Sequence, residues 1–250
     1  MARATYYYHT KRLQEPDENE DIRQSIRRIY ETHKGRYGYR RVTAQLRSDG
    51  ITINHKKVQK LMVEMKLHGK RKKVRYKSYK GEVGKIAPNI IDRDFVAAAP
   101  NQKWTTDVTE VKIKDKKIYL SPILDMFNGE IISYSISYSP NQHMVMKMLD
   151  KAFKKIPIPP GLVLHSDQGV HYQHQRYQKA LKDKNIVQSM SRKGNCLDNA
   201  MMENFFGLMK SELLYLQEWD SVEQFKKELI RYIHYYNNDR IKLRLNGKSP

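Results

Sequence analysis

The tightest constraint on the fold is a block of three strand-like segments joined by very short connections. Trp104–Val111, Lys117–Met126 and Glu130–Ser139 are rich in β-branched and aromatic residues, a composition typical of strands. The connections between them contain only a few residues, which predicts antiparallel hairpins. This region is therefore expected to form an antiparallel sheet.

Alternating helical and extended patterns follow this block. Helices are predicted over Gln142–Lys155, Tyr172–Lys184 and Leu197–Leu214, where apolar residues recur at helical spacing. The short apolar segments Leu162–His165 and Ile186–Met190 lie between these helices and are predicted strands. Together the patterns predict an α/β fold with a mixed five-stranded sheet flanked by helices.

The first part of the chain shows a purely helical pattern. Helices are predicted over Asp21–His33 and Tyr39–Asp49, and a third begins after Asn54, a good helix cap, and continues through Lys66. This arrangement is typical of a helix-turn-helix-like module, although any small three-helix bundle would give a similar pattern. The basic residues on its polar sides are candidate DNA contacts: Arg40, Arg41, Lys56 and Lys57.

A strongly basic segment joins the two patterns. Residues 66–85 hold nine Lys and Arg side chains against one acidic residue, Glu82. Such a segment is either a solvated connector or an arm that follows DNA phosphates. In the second case the candidate contacts are Lys70, Arg71, Lys72 and Lys73. The predicted domains are an N-terminal extension (1–20), the helix-turn-helix-like module (21–67), the basic linker (68–100) and a catalytic core with a C-terminal helix (101–250).

The overall charge favours a polyanionic partner. The chain has 47 Lys and Arg against 27 Asp and Glu, a formal net charge of +20. Nucleic acid is the expected partner, because neutralising phosphates releases condensed counterions. A single cysteine, Cys196, excludes a disulfide framework and a Cys-rich zinc module. The N-terminus lacks an apolar leader pattern, and no run approaches the roughly 18 apolar residues of a membrane span, so a soluble cytoplasmic protein is expected.

Three acidic residues stand out by their positions. Asp107 lies in the middle of a predicted strand, where an aspartate is unusual and needs a cation or hydrogen bonds. Asp167 follows a predicted strand at the edge where open α/β sheets bind ligands. Glu203 can face that edge from its predicted helix, whose apolar sides keep it docked. Each acid alone could be an ordinary surface residue, but together they form a set of hard oxygen ligands.

Such a set suits Mg²⁺ or Mn²⁺ better than zinc, since neither Cys nor a His pair accompanies it. Two ions of this kind serve in-line phosphoryl displacement. A basic surface combined with hard-metal carboxylates indicates a nuclease or a strand transferase.

The motifs around these acids resemble those of DDE transposases. They are WTTDVT at 104–109, HSDQG at 165–169 and SMSRKGNCLDNA at 189–200, followed by Glu203. Thirty-five residues separate Asp167 from Glu203, and Lys210 lies seven residues further on. These features are similar to the second-frame (OrfB) product of bacterial insertion sequences of the IS-three class, relatives of retroviral integrases. The resemblance extends to GRYGYRR at 35–41, YYNNDR at 235–240 and NGKSP at 246–250, and so covers nearly the whole chain.

The resemblance implies a ribonuclease-H-like core that catalyses DNA transposition, integration and recombination. Asp107, Asp167 and Glu203 would be the catalytic residues and would hold two Mg²⁺ ions, for which Mn²⁺ can substitute. Water would attack the phosphodiester at the element end, and the freed 3′-OH would then attack another strand. The implied partners are double-stranded DNA, at terminal repeats and target, and further copies of the chain on that DNA. An upstream-frame product, as a frameshift fusion or a separate partner, and a nucleoid-associated location in a bacterial cytoplasm are also implied.

Basic residues near the motifs have two interpretations each. Lys210 would contact the DNA end or be a solvated helix lysine. Arg192 and Lys193 would contact phosphate or lie in a solvated turn.

The remaining candidates are expected to support the acids. Asn199 would support Glu203 or only mark the start of its helix. His165 and Trp104 are expected to pack behind the ligands. Cys196 has no paired His in a suitable motif and is not expected to be a nucleophile.

Two other functions share most of these features. One is a DNA-binding regulator with a catalytically silent core, and the other is a nuclease of the same fold that cleaves without joining. The chain also ends at Pro250, where family members run on, so its C-terminus is expected to be truncated.

Overall fold

The computed structural model describes Arg3 and residues 19–69, 86–192 and 196–250. The chain forms two compact units, Met1–Arg71 and Lys72–Pro250. None of the described helices is both long and apolar enough to cross a membrane.

Within the described residues, the first unit contains three helices, as predicted: α1 (Glu20–Thr32), α2 (Tyr39–Ser48) and α3 (His55–Glu64). Asn54 caps α3 with its side chain, which accepts a hydrogen bond from the backbone N–H of Lys56 at 2.9 Å. The apolar residues that set the helical period are buried, as is Tyr37 between α1 and α2; they are Ile26, Ile29, Val42, Leu46, Val58, Leu61 and Met62. Burial of these stripes stabilises helices that are too short to persist alone.

The second unit is built on a mixed sheet. Its strands are β1 (Lys103–Thr106), β2 (Thr109–Ile113), β3 (Lys116–Asp125), β4 (Ile131–Ser137), β5 (Val163–Ser166) and β6 (Val187–Met190). The order across the sheet is β4–β3–β1–β5–β6, and β2 pairs with β3 on the same edge as β1. The hairpin strands pair antiparallel, whereas β1–β5 and β5–β6 are parallel. This arrangement confirms the predicted mixed sheet.

The first predicted strand is divided in two at Asp107 and Val108, so the described part of the chain has six strands instead of the five predicted. Both halves pair with β3 in one continuous register, from Trp104 opposite Asp125 to Thr109 opposite Leu120. The cause is local: Oδ1 of Asp107 accepts the N–H of Val108 at 2.7 Å. A side chain that bonds its neighbouring backbone in this way competes with the strand ladder.

Helices cover both faces of the sheet. They are α4 (Gln142–Lys155), α5 (Val170–Gln173), α6 (Gln175–Lys182), α7 (Ala200–Met209) and α8 (Val222–Asn238). One core cluster packs α7 and α8 on the sheet, with Phe205 and Tyr236 in edge-to-face contact. The other packs α4 and α6 on the opposite face, around Trp104 and Leu149.

Two predicted helices are interrupted. The segment predicted as Tyr172–Lys184 breaks at His174, whose extended backbone and ring nitrogen cap α6 through the N–H of Arg176. The segment predicted as Leu197–Leu214 begins with a 3₁₀ turn (Cys196–Asn199), continues as α7 and ends in a π turn (Lys210–Leu214). In that turn the N–H of Tyr215 donates to the carbonyl of Lys210 at 2.9 Å. Such π turns are frequent at functional sites.

A buried ion pair holds the π turn against the C-terminal end of α8. Arg240 is 2% exposed and donates two hydrogen bonds to Glu212, at 2.7 and 2.6 Å. The hydroxyl of Tyr232 donates to the same carboxylate at 3.1 Å. Both members of the pair therefore have partners within the core, as a buried ion pair requires.

Candidate active site

Asp107 and Asp167 lie side by side at the ends of neighbouring parallel strands. The β1–β5 register pairs Lys103 with Val163 and Thr105 with His165, and two further residues along each strand are the two aspartates. Adjacent strands are about 4.8 Å apart. Both side chains are half-buried, so each keeps access to solvent.

Each aspartate is oriented by its own backbone. One oxygen of Asp167 accepts the N–H of Gly169 at 2.9 Å, just as Asp107 accepts that of Val108. A Cβ atom on Gly169 would stand 2.9 Å from this oxygen, so a side chain there would displace the carboxylate. In each aspartate one carboxylate oxygen is thereby held by the backbone.

Glu203 approaches from α7, whose start is attached to the strand that carries Asp107. Asn199 accepts a hydrogen bond from the hydroxyl of Thr105 at 2.5 Å and donates one to the carbonyl of Thr106 at 3.2 Å. Asn199 is 5% exposed, whereas Glu203, one helical turn later, is half-buried. The structure therefore gives Asn199 a positioning contact with the strand rather than with Glu203 directly.

The pKa of Asp107 responds to the charges of the other two carboxylates. The pKa of Asp107 lies well above its usual range, because of burial first and then repulsion from Asp167 and Glu203. Burial also raises the pKa of Asp167 and of Glu203. Lys210 opposes these effects at Asp107, and burial lowers the pKa of Lys210 itself. A cluster with more acids than cations is favourable for binding a cation.

The donor chemistry fits a hard divalent ion. Within the described ranges, no group of three or more His, Cys, Asp and Glu side chains stands in an arrangement that could hold a metal ion. Yet Asp107 and Asp167 are neighbours with raised pKa values, and the charge of Glu203 adds to the rise at Asp107. Carboxylate oxygens are the ligands that Mg²⁺ prefers, and a divalent charge would relieve this repulsion.

His165 and Trp104 lie in β5 and β1, two residues before Asp167 and three before Asp107. Both are fully buried. Nδ1 of His165 is 2.9 Å from the hydroxyl of Ser189, and the indole N–H of Trp104 donates to Asn101 at 3.1 Å. Burial lowers the pKa of His165 to about 4. Their contacts are those of packing residues, since they bond to the protein and lie out of reach of solvent.

Arg192 has an internal partner. Its guanidinium donates two hydrogen bonds to Asp198, at 2.9 and 3.0 Å, while the side chain remains 51% exposed. Lys193 lies outside the described residues, as do Lys70, Arg71, Lys72 and Lys73.

Comparison with known proteins agrees with this geometry. Integrase core domain models match residues 97–196 and 203–250, and an HTH-like domain model matches residues 16–75. InsK of insertion sequence element IS150 from Escherichia coli is 53% identical over 250 residues, which cover 100% of this chain and 88% of InsK. The transposase InsF for insertion sequence IS3A of Escherichia coli is 30% identical over 259 residues, covering 100% of this chain and 89% of InsF.

The chain is a DDE transposase of the IS3 class of insertion sequences.

The fold of the transposase is also that of retroviral integrases. A chain in the cryo-EM structure of the simian T-cell lymphotropic virus intasome in complex with PP2A regulatory subunit B56 gamma superposes with a TM-score of 0.50 and 17% identity. The match covers 87% of the transposase and 70% of that chain. The predicted ribonuclease-H-like core is thereby confirmed.

The candidate DNA contacts of the first unit differ in their availability. Arg40, Lys56 and Lys57 are exposed. Arg41 is half-buried and instead lies over the ring of Tyr37, with a weak hydrogen bond to the carbonyl of Arg36 at 3.4 Å. In the transposase Arg41 therefore stabilises the turn before α2.

Two residues of the site escaped sequence reasoning. Asp198 is fully buried beside the start of α7, and its position one residue before Asn199 in the third motif was the available signal. Tyr172 is 1% exposed and lies near the two aspartates. Burial and then the charges of Asp107 and Asp167 raise the pKa of Tyr172. No sequence pattern distinguishes this phenol from an ordinary core tyrosine.

Proposed function

We propose that Asp107, Asp167 and Glu203 are the catalytic carboxylates of the transposase and hold its metal. The observation that carries this proposal is the register that sets the two aspartates side by side, with Glu203 raising the pKa of Asp107. When bound, two Mg²⁺ ions, or Mn²⁺ in their place, would supply Lewis-acid activation of the attacking and leaving oxygens. The reactions are cleavage at the element ends and strand transfer by the freed 3′-OH.

The chain's own residues orient these groups. The backbone bonds of Val108 and Gly169 fix one oxygen of each aspartate, and Asn199 holds the start of α7 against β1. Lys210, whose charge interacts with that of Asp107, is proposed to bind a phosphate of the DNA end. His165 and Trp104, both fully buried in the strands that lead to the two aspartates, are proposed to support these strands by packing.

DNA binding is assigned mainly to the basic module and linker. Arg40, Lys56 and Lys57 are the contacts proposed for the first unit, together with the segment that begins at Lys70. The domain bounds 1–20, 21–67, 68–100 and 101–250 are proposed as functional divisions. The transposase is further proposed to act as a homo-oligomer on nucleoid DNA in the cytoplasm and with an upstream-frame product.

The test separates cleavage, joining and binding. Asp107→Asn, Asp167→Asn and Glu203→Gln should each abolish Mg²⁺-dependent cleavage and the joining of a pre-cut 3′-OH end, while binding in a mobility-shift assay persists. Asp150→Asn, an exposed acid on α4, is the matched control and should keep both activities. Wild-type joining in all three variants would refute the assignment. Cleavage by the wild-type enzyme without joining of a pre-cut end would indicate a nuclease.

A further inference from the structure

Asp198 is a fully buried carboxylate that is bound from three directions. Arg192 donates to it from its backbone N–H at 3.0 Å and from its guanidinium at 2.9 and 3.0 Å. Arg93 donates from Nε at 3.0 Å, and the amide of Asn89 donates at 3.2 Å. The bonds from Arg192 are the main cause that holds the pKa of Asp198 far below its usual range. This carboxylate is charged and saturated with donors, so it is not itself a metal ligand.

Two of these donors come from a distant part of the chain. Residues 87–93 lie against β6: the N–H of Ile90 donates to the hydroxyl of Ser189 at 2.9 Å, and the N–H of Met190 donates to the carbonyl of Pro88 at 3.2 Å. This stretch was predicted as the end of the basic linker. Its side chains Asn89 and Arg93 reach Asp198 across more than 100 residues of sequence.

Asp198 is followed directly by the residues that place the third catalytic acid. Asn199 bonds to Thr105 and Thr106 next to Asp107, and Glu203 follows on α7. The 3₁₀ turn that contains Asp198 and Asn199 is thus anchored on two sides, to residues 89–93 by one side chain and to β1 by the other.

The pattern of exposure favours a positioning role. The side chains of Arg93 and Arg192 are 47% and 51% exposed, whereas Asp198 is fully buried. An ion pair between two exposed side chains contributes little to stability. A buried carboxylate that is bonded to two arginines instead holds the backbone around it in one geometry. That backbone leads into Glu203.

We propose that Asn89, Arg93 and Arg192 clamp Asp198 and thereby fix where Glu203 stands relative to Asp107, which makes Asp198 and Arg93 positioning residues for metal binding. This inference rests on the proposed function of the three carboxylates. Outer contacts that orient metal ligands typically change metal affinity or activity about 10–100-fold when removed.

The test uses the full chain with a pre-cut DNA end. Arg93→Gln and Asn89→Ala each remove one hydrogen-bond donor to Asp198. Asn89→Ala does so without changing the net charge of the protein. Arg231→Gln removes the same charge from an exposed ion pair on α8 and serves as the control. Joining rates are measured across Mg²⁺ concentrations, and Mn²⁺ binding is measured by EPR on the same complexes.

For Arg93→Gln we expect the Mg²⁺ concentration at half-maximal joining and the Mn²⁺ dissociation constant to rise about tenfold. Joining should be restored at high metal concentration. DNA affinity should match that of Arg231→Gln. Asn89→Ala should shift both in the same direction by less, and Arg93→Lys should recover part of the loss. Asp198→Asn should have the largest effect.

A role limited to stability gives a different result. If Arg93→Gln and Asn89→Ala lowered the melting temperature or the active fraction while both metal constants stayed at wild-type values, the clamp would not position Glu203. If wild-type joining needed no metal, or if Glu203→Gln remained active, the proposed function would fail and this inference with it.

Discussion

The buried pair between Glu212 and Arg240 allows a quantitative test of how the π turn is held in place. The substitution Glu212→Gln keeps the shape of the side chain and removes its charge. Arg240, at 2% exposure, would then remain charged without a counter-ion, and its bidentate contact would be reduced to one neutral acceptor. Removing one partner of a buried pair costs about 3–5 kcal/mol. We expect a loss of this size in the free energy of unfolding of the second unit.

The assay is urea unfolding followed by tryptophan fluorescence. Trp219 is a local reporter, because its indole N–H donates to the carbonyl of Leu214 at the end of the π turn, at 3.0 Å. It also packs edge-on against Phe225 of α8. Glu228→Gln, which breaks the exposed pair with Arg231, should cost less than about 1 kcal/mol in the same measurement.

A double variant tests the physical reason. Glu212→Gln combined with Arg240→Met removes both charges and should be more stable than Glu212→Gln alone, since the penalty comes from the unpaired buried charge. A loss below about 1 kcal/mol for Glu212→Gln, or a double variant that is less stable than either single variant, would refute this account.

Three further predictions concern charge. Asp107→Asn should raise the melting temperature of the metal-free protein at neutral pH and its free energy of unfolding by about 1 kcal/mol. The folded-state pKa of Asp107 lies above its unfolded value, so ionisation of Asp107 destabilises the fold. Added Mg²⁺ should then stabilise the wild type and not the variant in differential scanning fluorimetry. His165 is neutral when folded, with a pKa of about 4 against 6.5 unfolded, so acidification between these values should reduce stability by up to about 3 kcal/mol. Urea titrations across this pH range should show a weaker dependence for His165→Gln, and an unchanged slope would contradict the burial argument. Replacing Lys56 and Lys57 together by Gln should reduce the slope of log affinity against log salt by up to about 0.9 for each phosphate that these lysines neutralise, and unchanged binding isotherms would remove α3 from the DNA interface.

Much of the fold followed from local patterns. Residues that alternate or recur at helical spacing must face one core, and this periodic burial is visible within about ten residues of sequence. It predicted the three helices of the first unit, the hairpin strands and α4. The motif spacing predicted which acids form the candidate site, and the parallel register of β1 and β5 then set Asp107 beside Asp167.

Interruptions of these elements were decided by contacts that periodicity does not encode. The Asp107–Val108 break arises from one side-chain hydrogen bond, and His174 ends one helix and caps the next. The π turn after α7 coincides with the buried pair between Glu212 and Arg240, whose members are 28 residues apart. In each case a specific polar bond overrode a continuous apolar pattern.

The sequence by itself determined the fold class and the family and predicted the three carboxylates, because each depends on residue types at fixed local spacings. The tertiary structure decided which of the candidate basic residues bond within the protein, as Arg41 and Arg192 do. It also revealed the clamp on Asp198, whose donors Asn89 and Arg93 lie 109 and 105 residues away in sequence. Hydrogen bonds between such distant residues exist only after the sheet has formed, so no local sequence pattern predicts them.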